Sequence, residues 1–184
     1  MKFILNTAVD PHFCALFDEG DHLIERRDWV NRKLDGSEMF DFLKKHEGEI
    51  TFCGGVTGPG GFSSLRAGGG ILNAISVAHY IPVHQIRADK WIEQVIDSQD
   101  FLLNSFSDGV FYLDKDNLER ITIDEAVTKF NKPMFAGLLP PEKQEKMTKT
   151  FNHSFENSEQ VLLKVLQEGK PQEQFHADYE FPAV

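Results

Sequence analysis

The sequence is short of the groups on which several kinds of chemistry depend. It has two cysteines, Cys14 and Cys53, too few for a disulfide framework and both in apolar, strand-like surroundings where a free thiol behaves as a small hydrophobe. Basic residues are scarce, with 19 Lys and Arg against 29 Asp and Glu and a formal charge of −10. A nucleic-acid backbone is held by clustered cations that release counterions. Here the densest basic patch, Arg26-Arg27 with Arg32-Lys33, is interleaved with acids, so any nucleic acid is expected to be held by a partner. No run of eighteen apolar residues occurs, and MKFILNTAVD is apolar for only three residues before it turns polar. Neither a membrane span nor a signal segment is expected, and the chain reads as reduced, soluble and cytoplasmic.

Metal chemistry also lacks its raw material. Of seven histidines no two stand three or four apart on a helix, and His79 and His84 belong to different elements separated by Pro82. His46 reads as a core-edge residue, and Asp114, Asp116 and Asn117 as a polar turn more economically than as a calcium loop. No metal site and no cofactor are expected.

What the chain does have is enough apolar material for a core. At 184 residues, folding removes about 70% of the unfolded surface from water. Hydrophobic residues make up 41%, and sixteen Phe against three Tyr and two Trp point to aromatics that fill an interior. Residues 3–8, 12–17 and 22–29 read as strands, the latter two joined by the turn signal Asp18-Glu19-Gly20-Asp21, which makes a β-meander. Asp35 is the expected N-cap of a helix with Met39, Phe40, Leu43 and His46 on one face and Gly48 as its stop. "EITFCGGV" follows as a buried strand, then a glycine cluster, a helix from Phe62 to Tyr80 with Ser63 and Ser64 at its start, the strand "IPVHQI", and a helix with Trp91, Ile92, Val95 and Ile96 as its face. Meander, then strand, helix, strand, helix, is an α/β layer pattern.

The order then repeats. Phe3-Ile4-Leu5-Asn6-Thr7 is echoed by Phe101-Leu102-Leu103-Asn104-Ser105, and Ile24-Glu25-Arg26 by Leu118-Glu119-Arg120, each time with a hairpin between the echoes. Strands near 101–106, 110–114 and 118–122, a helix at 124–129, the strand "KPMFAGL" and a helix near 155–168 make up a shorter second copy. The expected units are residues 1–97 and 98–184.

Between Cys53 and Gly70 lie eight of the fourteen glycines. A glycine-rich turn before a helix can cradle an anion. The specific templates fail: Gly60 is followed by Gly61-Phe62 and not by Lys and Ser or Thr, and Ser63 stands at the third glycine of a dinucleotide fingerprint. Gly58-Pro59-Gly60-Gly61 therefore reads as a sharp turn. Gly68, Gly69 and Gly70 each cost a helix about 1 kcal/mol relative to Ala. Ala67, Gly70, Ala74 and Ala78 recur at spacings of three, four and four, a face almost without side chains that admits a close neighbour. Periodicity is equally satisfied by a neighbour from the same chain and by a partner.

"GVTGPGGFSSLRAG", Gly55 to Gly68, resembles the G-x-G-P-G-S-F-T-G-[LV]-R-[IV]-G signature of the TsaB (YeaZ) family, the non-catalytic partner in bacterial tRNA threonylcarbamoyladenosine synthesis. Gly58, Pro59, Gly60, Phe62, Leu65, Arg66 and Gly68 carry the match. "FILNTA" stands where the family has a strand ending in I-D-T-[SA], "YIPVHQI" where it has I-P-[VM]-x-x-V, and the closing "LQEGKPQEQFHADYEFPAV" is similar to its last helix and E-P-x-Y-[LI] tail. The departures are Gly61 for Ser, Ser63-Ser64 for Thr-Gly, Asn6 for Asp, and a short second copy. The resemblance implies a two-lobed, actin-like (ribonuclease H-like) duplicated fold with a reduced second lobe. It also implies a scaffold that binds and stabilises the TsaD threonylcarbamoyltransferase subunit, together with a TsaE-like ATPase, touching tRNA only through that partner and able to form a homodimer when alone.

On the family's pattern the interface would lie on Met39, Phe40 and Leu43 and on Ala67, Gly70, Ala74 and Ala78. Asn6 and Asn104 at the two strand ends and the lack of a glycine-rich phosphate hairpin speak against Mg-ATP between the lobes. A stand-alone actin-like ATPase or kinase is the alternative, and a self-dimerising relative outside the pathway is a third. A glycoprotease-type peptidase would need metal ligands that the sequence does not supply: "KHEGE" at 45–49 has one His where the catalytic sister family has two.

Overall fold

A computed structural model describes residues 1–29, 36–46, 50–98, 100–105, 109–115, 117–130, 134–137, 140–147, 151–153 and 157–178. The expected cap at Asp35, the stop at Gly48, the end of "KHEGE", Asp116 and the final residues of the tail lie outside these. Strands β1 (Lys2–Asn6), β2 (His12–Phe17) and β3 (Leu23–Trp29) form the meander, with α1 (Gly36–Lys45) after it. Then come β4 (Phe52–Val56), α2 (Phe62–His79), β5 (Val83–Ile86) and α3 (Ala88–Ile96).

The second copy holds β6 (Asp100–Asn104), β7 (Gly109–Asp114), β8 (Asn117–Thr122), α4 (Ile123–Lys129), β9 (Met134–Ala136), β10 (Phe151–His153) and α6 (Ser158–Glu168), with a single-turn helix α5 (Pro141–Gln144) that the sequence pattern does not announce. Two helix starts differ in their chemistry. Gly61, and not Ser63 or Ser64, caps α2 without a side-chain bond. Thr122 caps α4 in a reciprocal capping box with Glu125.

The two five-stranded sheets run β3-β2-β1-β4-β5 and β8-β7-β6-β9-β10, the same order with the same mixture of antiparallel meander and parallel additions. The fold is thus a duplicated, two-lobed actin-like α/β arrangement. The sequence echo that suggested it is nonetheless out of phase. Phe3 and Leu5 point to the outer face of the first sheet, into a cluster with Met39 and Phe42 of α1 and Leu72 and Ile75 of α2. Phe101 and Leu103 point inward, into the cluster that holds Ile4, Phe13, Trp91 of α3 and Leu162 and Leu166 of α6. Successive strand residues face opposite ways, so matching Phe3 with Phe101 pairs residues of opposite faces.

Helices α3 and α6 therefore lie between the sheets, α1 and α2 cover the first sheet, and α4 covers the second with Leu102, Val110, Tyr112 and Ile121 beneath it. Six phenylalanines, Phe3, Phe13, Phe17, Phe42, Phe101 and Phe135, are fully buried, the use their abundance implies.

Helix α6, which chain order places in the second unit, packs on both sheets. Helix α6 lies on β1, β4, β5 and α3 of the first half. Trp91 Nε1 donates to the Ser158 carbonyl at 3.2 Å, and Arg26 of β3, stacked 4.4 Å above Phe13, pairs with the buried Glu159.

An ionic knot holds the end of α1. Glu25 on β3 accepts from Lys45 Nζ at 2.6 Å, contacts His46 Nε2 at 2.8 Å and accepts from Arg27 Nε at 3.3 Å. Lys45 first and His46 next hold its carboxyl down, from the ordinary 4.5 to about 2. A carboxylate lowered in the folded state stabilises above its unfolded pKa and loses that contribution as pH falls through its folded one. The urea midpoint of Glu25→Gln is therefore expected below that of the wild type at pH 7, with the gap closing between pH 4.5 and about 2. Parallel denaturation curves across that range check it.

Candidate functional site

The glycine cluster resolves into three jobs. In β4, a Cβ on Gly54 would meet Leu166 of α6 at 3.1 Å, and one on Gly55 would meet Leu72 of α2 at 2.7 Å. The two glycines thin the strand so that helices approach it from both faces. In the turn, Gly58 sits at φ +134, a conformation that L side chains rarely adopt. A side chain there would strike the Asp178 carbonyl at 2.6 Å, and one on Gly60 the Ala8 carbonyl at 2.5 Å. The Gly58 carbonyl accepts from Ala88 N, and the Thr57 carbonyl from Asp178 N. The turn is thus packed against backbone of the same chain.

In α2 the three adjacent glycines point in different directions. Gly68 and Gly69 are buried, with Thr7 Oγ1 2.4 Å and Phe175 Cδ1 2.8 Å from where a Cβ would stand, whereas Gly70 has nothing within 4 Å. Their neighbours sort the same way. Leu65, Leu72, Ile75 and Ser76 face the sheet, while Ala67, Gly70, Ala74 and Ala78 are exposed on the outer side.

Of the other motif residues, Pro59 is buried and Phe62 and Arg66 are exposed. The outer side also carries large groups that the small-residue pattern concealed: Phe62 at 44%, Val77 at 75% and Tyr80 at 95% exposure. Tyr80 ends the helix at φ 56, an unusual setting for a bulky residue. One signal was present in the sequence, because α2 has no acid and only Arg66 and His79 as basic groups, in a chain of net charge −10. An amphipathic surface helix would be charged on its outer side.

The first helix behaves differently. Met39 is 1% exposed and packs with Phe42 in the chain's own core, with Leu43 half-buried beside it, so Met39 is corrected from an interface residue to a core residue. The side chain of Phe40 lies outside the described residues.

The two hairpin ends where an actin-like nucleotide site would be built are occupied by internal groups. Asn6 is fully buried: Nδ2 donates to the Val9 and Pro11 carbonyls at 2.8 and 3.1 Å, and Oδ1 accepts from Ala8 N and Val9 N at 3.1 and 3.2 Å. All four of its hydrogen-bonding positions are used in closing the loop. At the second hairpin the ammonium of Lys143, 3% exposed, donates to Asn104 Oδ1 at 2.8 Å, the Ser105 carbonyl at 2.6 Å and the Gly109 carbonyl at 2.8 Å. Nothing in the sequence pointed to Lys143, which arrives from an element 34 residues away.

Burial pushes the Cys53 thiol up to about 12 and the Cys14 thiol higher, so neither supplies a thiolate at neutral pH. His84 Nδ1 is 2.9 Å from the Leu166 carbonyl, and its ring stacks on Phe52. Among the described residues no three His, Cys, Asp or Glu lie together as a metal set, and no helix is long and apolar enough to cross a membrane.

No protein-family model matches the chain, and no curated protein matches it in sequence. Solved structures do match in three dimensions. YeaZ from Pseudomonas aeruginosa superposes with a TM-score of 0.63 at 16% identity, over 97% of this chain and all of that one. The crystal structure of an uncharacterized protein with similarity to peptidase YeaZ from Pseudomonas aeruginosa superposes with a TM-score of 0.66 at 14% identity, over 97% and 99%. The two sheets, the helices between them and the outer pair built above therefore make up the fold of YeaZ.

Proposed function

We propose that this chain is a scaffold subunit of the TsaB (YeaZ) kind. It has no catalytic chemistry of its own and acts by docking on a TsaD-like threonylcarbamoyltransferase subunit in tRNA threonylcarbamoyladenosine synthesis. The observation that carries the reading is the outer face of α2. A surface helix is ordinarily charged on its outer side, yet this one, with Arg66 as its only exposed charged residue, leaves Phe62, Val77 and Tyr80 exposed around a row of Ala67, Gly70, Ala74 and Ala78.

The small residues let a partner helix approach to the short end of the usual 8–10 Å separation, where dispersion is greatest. The aromatics at the two ends are the residue types that anchor interfaces. Likeness of the whole fold to YeaZ supports the family, and the Gly55 to Gly68 signature supports it independently of the fold. In this role the protein contributes surface and position, the transferase subunit contributes chemistry and tRNA contacts, and a TsaE-like ATPase completes the assembly.

The test is direct. The purified chain, mixed with the TsaD-type subunit of its own organism, is expected to elute with it as one stoichiometric complex in size-exclusion chromatography with light scattering. Separate peaks, or a chain that only pairs with itself, would overturn the proposal.

A further inference from the structure

Beyond α6 the chain leaves the middle layer, rounds the exposed edge of β5 and climbs onto the outer layer. Gln172 exchanges two backbone hydrogen bonds with Val83, at 2.9 and 2.8 Å. Phe175, 6% exposed, lays its ring where Gly69 leaves room, and Asn73 of α2 grips the Phe175 backbone through Oδ1 at 2.7 Å and Nδ2 at 3.4 Å. His176 N donates to Gln85 Oε1 at 3.0 Å. Asp178 has its amide on the Thr57 carbonyl at 2.7 Å and its carboxylate on Arg87 at 2.7 Å.

Gly69 makes room for Phe175, and Gly58, at the turn, for the carbonyl of Asp178. Around these points the segment is loosely invested, since residues 170–174 are all exposed. One aromatic anchor, Ala177 against the core, a few hydrogen bonds and one ion pair hold a stretch whose first half is solvated, the profile of an element at the low end of local stability.

We propose that residues 171–178 form a detachable strap, and that the glycines at 58 and 69 serve in this chain as its receptor. Docked, the strap fixes α2 along its flank by filling the space at Gly69 and holding Asn73. Released, it opens a groove between α2 and β5 and loosens the helix. The chain thereby carries a control on α2 that acts from the flank of the helix beside the exposed residues, since Gly69, Asn73 and Val77 follow one another at i, i+4 spacing. The strap itself stands on the contacts above. Its effect on partner capture rests on the reading of α2 as the docking face.

The test uses the full-length protein and two variants, Phe175→Ala and Asp178→Ala, so that the comparison survives if one fails to fold. Amides of α2 are expected to exchange about 10- to 30-fold faster in the variants while those of β2 and β3 keep their rates. Cleavage after Glu173 by a glutamate-specific protease is expected to rise in step, and a synthetic peptide of residues 170–178 to restore α2 protection in Phe175→Ala. Unchanged α2 exchange in both variants, or a rise shared equally by β2 and β3, would overturn the strap. Capture of the transferase subunit is measured on the same samples. Faster α2 exchange with undiminished capture would leave the strap standing and remove α2 as the docking face.

Discussion

Gly70→Leu is expected to give a protein that melts higher than the wild type and no longer captures the transferase subunit. Nothing stands within 4 Å of a Cβ at this position, so the side chain enters open space in the isolated chain. Replacing Gly by Leu inside a helix gains about 0.8 kcal/mol of propensity, which for a chain of this length is about 2–3 °C in melting temperature. In the complex the same side chain stands on the row of Ala67, Ala74 and Ala78, where a partner helix would have to come close. Prying the two apart is expected to weaken capture by at least about 100-fold, near 3 kcal/mol.

The neighbouring glycines serve as controls with the opposite outcome. A side chain at Gly68 meets Thr7 at 2.4 Å and one at Gly69 meets Phe175 at 2.8 Å, so leucine at either is expected to destabilise the isolated protein. Thermal melts paired with binding calorimetry read both quantities. Wild-type affinity in a folded Gly70→Leu protein would remove the outer face of α2 from the interface.

Asn6→Asp is expected to cost about 3–5 kcal/mol of stability, the range for a buried charge left without compensation. The replaced amide donates to two carbonyls while its oxygen accepts from two backbone amides, at a position fully shielded from water. A carboxylate keeps the acceptor half and sets its second oxygen against the Val9 and Pro11 carbonyls. Protonation relieves the charge but supplies one donor where two are needed. Urea denaturation measures the loss, and a change below about 0.5 kcal/mol, the size of an ordinary surface substitution, would show that the loop does not depend on this amide. The Asn6 amide is thus part of a closed loop in this chain, with each of its hydrogen-bonding positions taken by the loop's own backbone.

Much of the fold was legible because its signals are local. Asp18 to Asp21 marked the turn between β2 and β3, the short apolar runs of β1 and β2 marked strands, and Trp91, Ile92 and Ile96 marked the buried face of α3. The repeat was legible as an order of elements and misread as a register, since a match of five similar letters carries no record of which face each letter takes.

The candidate site was legible in half. Ala67, Gly70, Ala74 and Ala78 stand on one exposed face as their spacing required, but Met39 belongs to the core, and the large groups at Phe62, Val77 and Tyr80 do not follow the small-residue spacing. What remained hidden depends on contacts between residues far apart in the chain: Lys143 on the second hairpin, Glu159 on Arg26, Phe175 on Gly69. Composition records that a lysine or a phenylalanine is present and says nothing of the distant backbone that will receive it.

The middle layer has a consequence for how the molecule can come apart. Ile4 and Phe13 of one repeat and Phe101 and Leu113 of the other share a single apolar interior with Trp91 and Leu162 between them. Neither repeat keeps a finished inner wall if the other departs. The doubling visible in the chain is therefore not inherited by its energetics: severing the halves at Ser98 would leave two half-built objects and no ancestral unit, each with an oily face that only its counterpart can close.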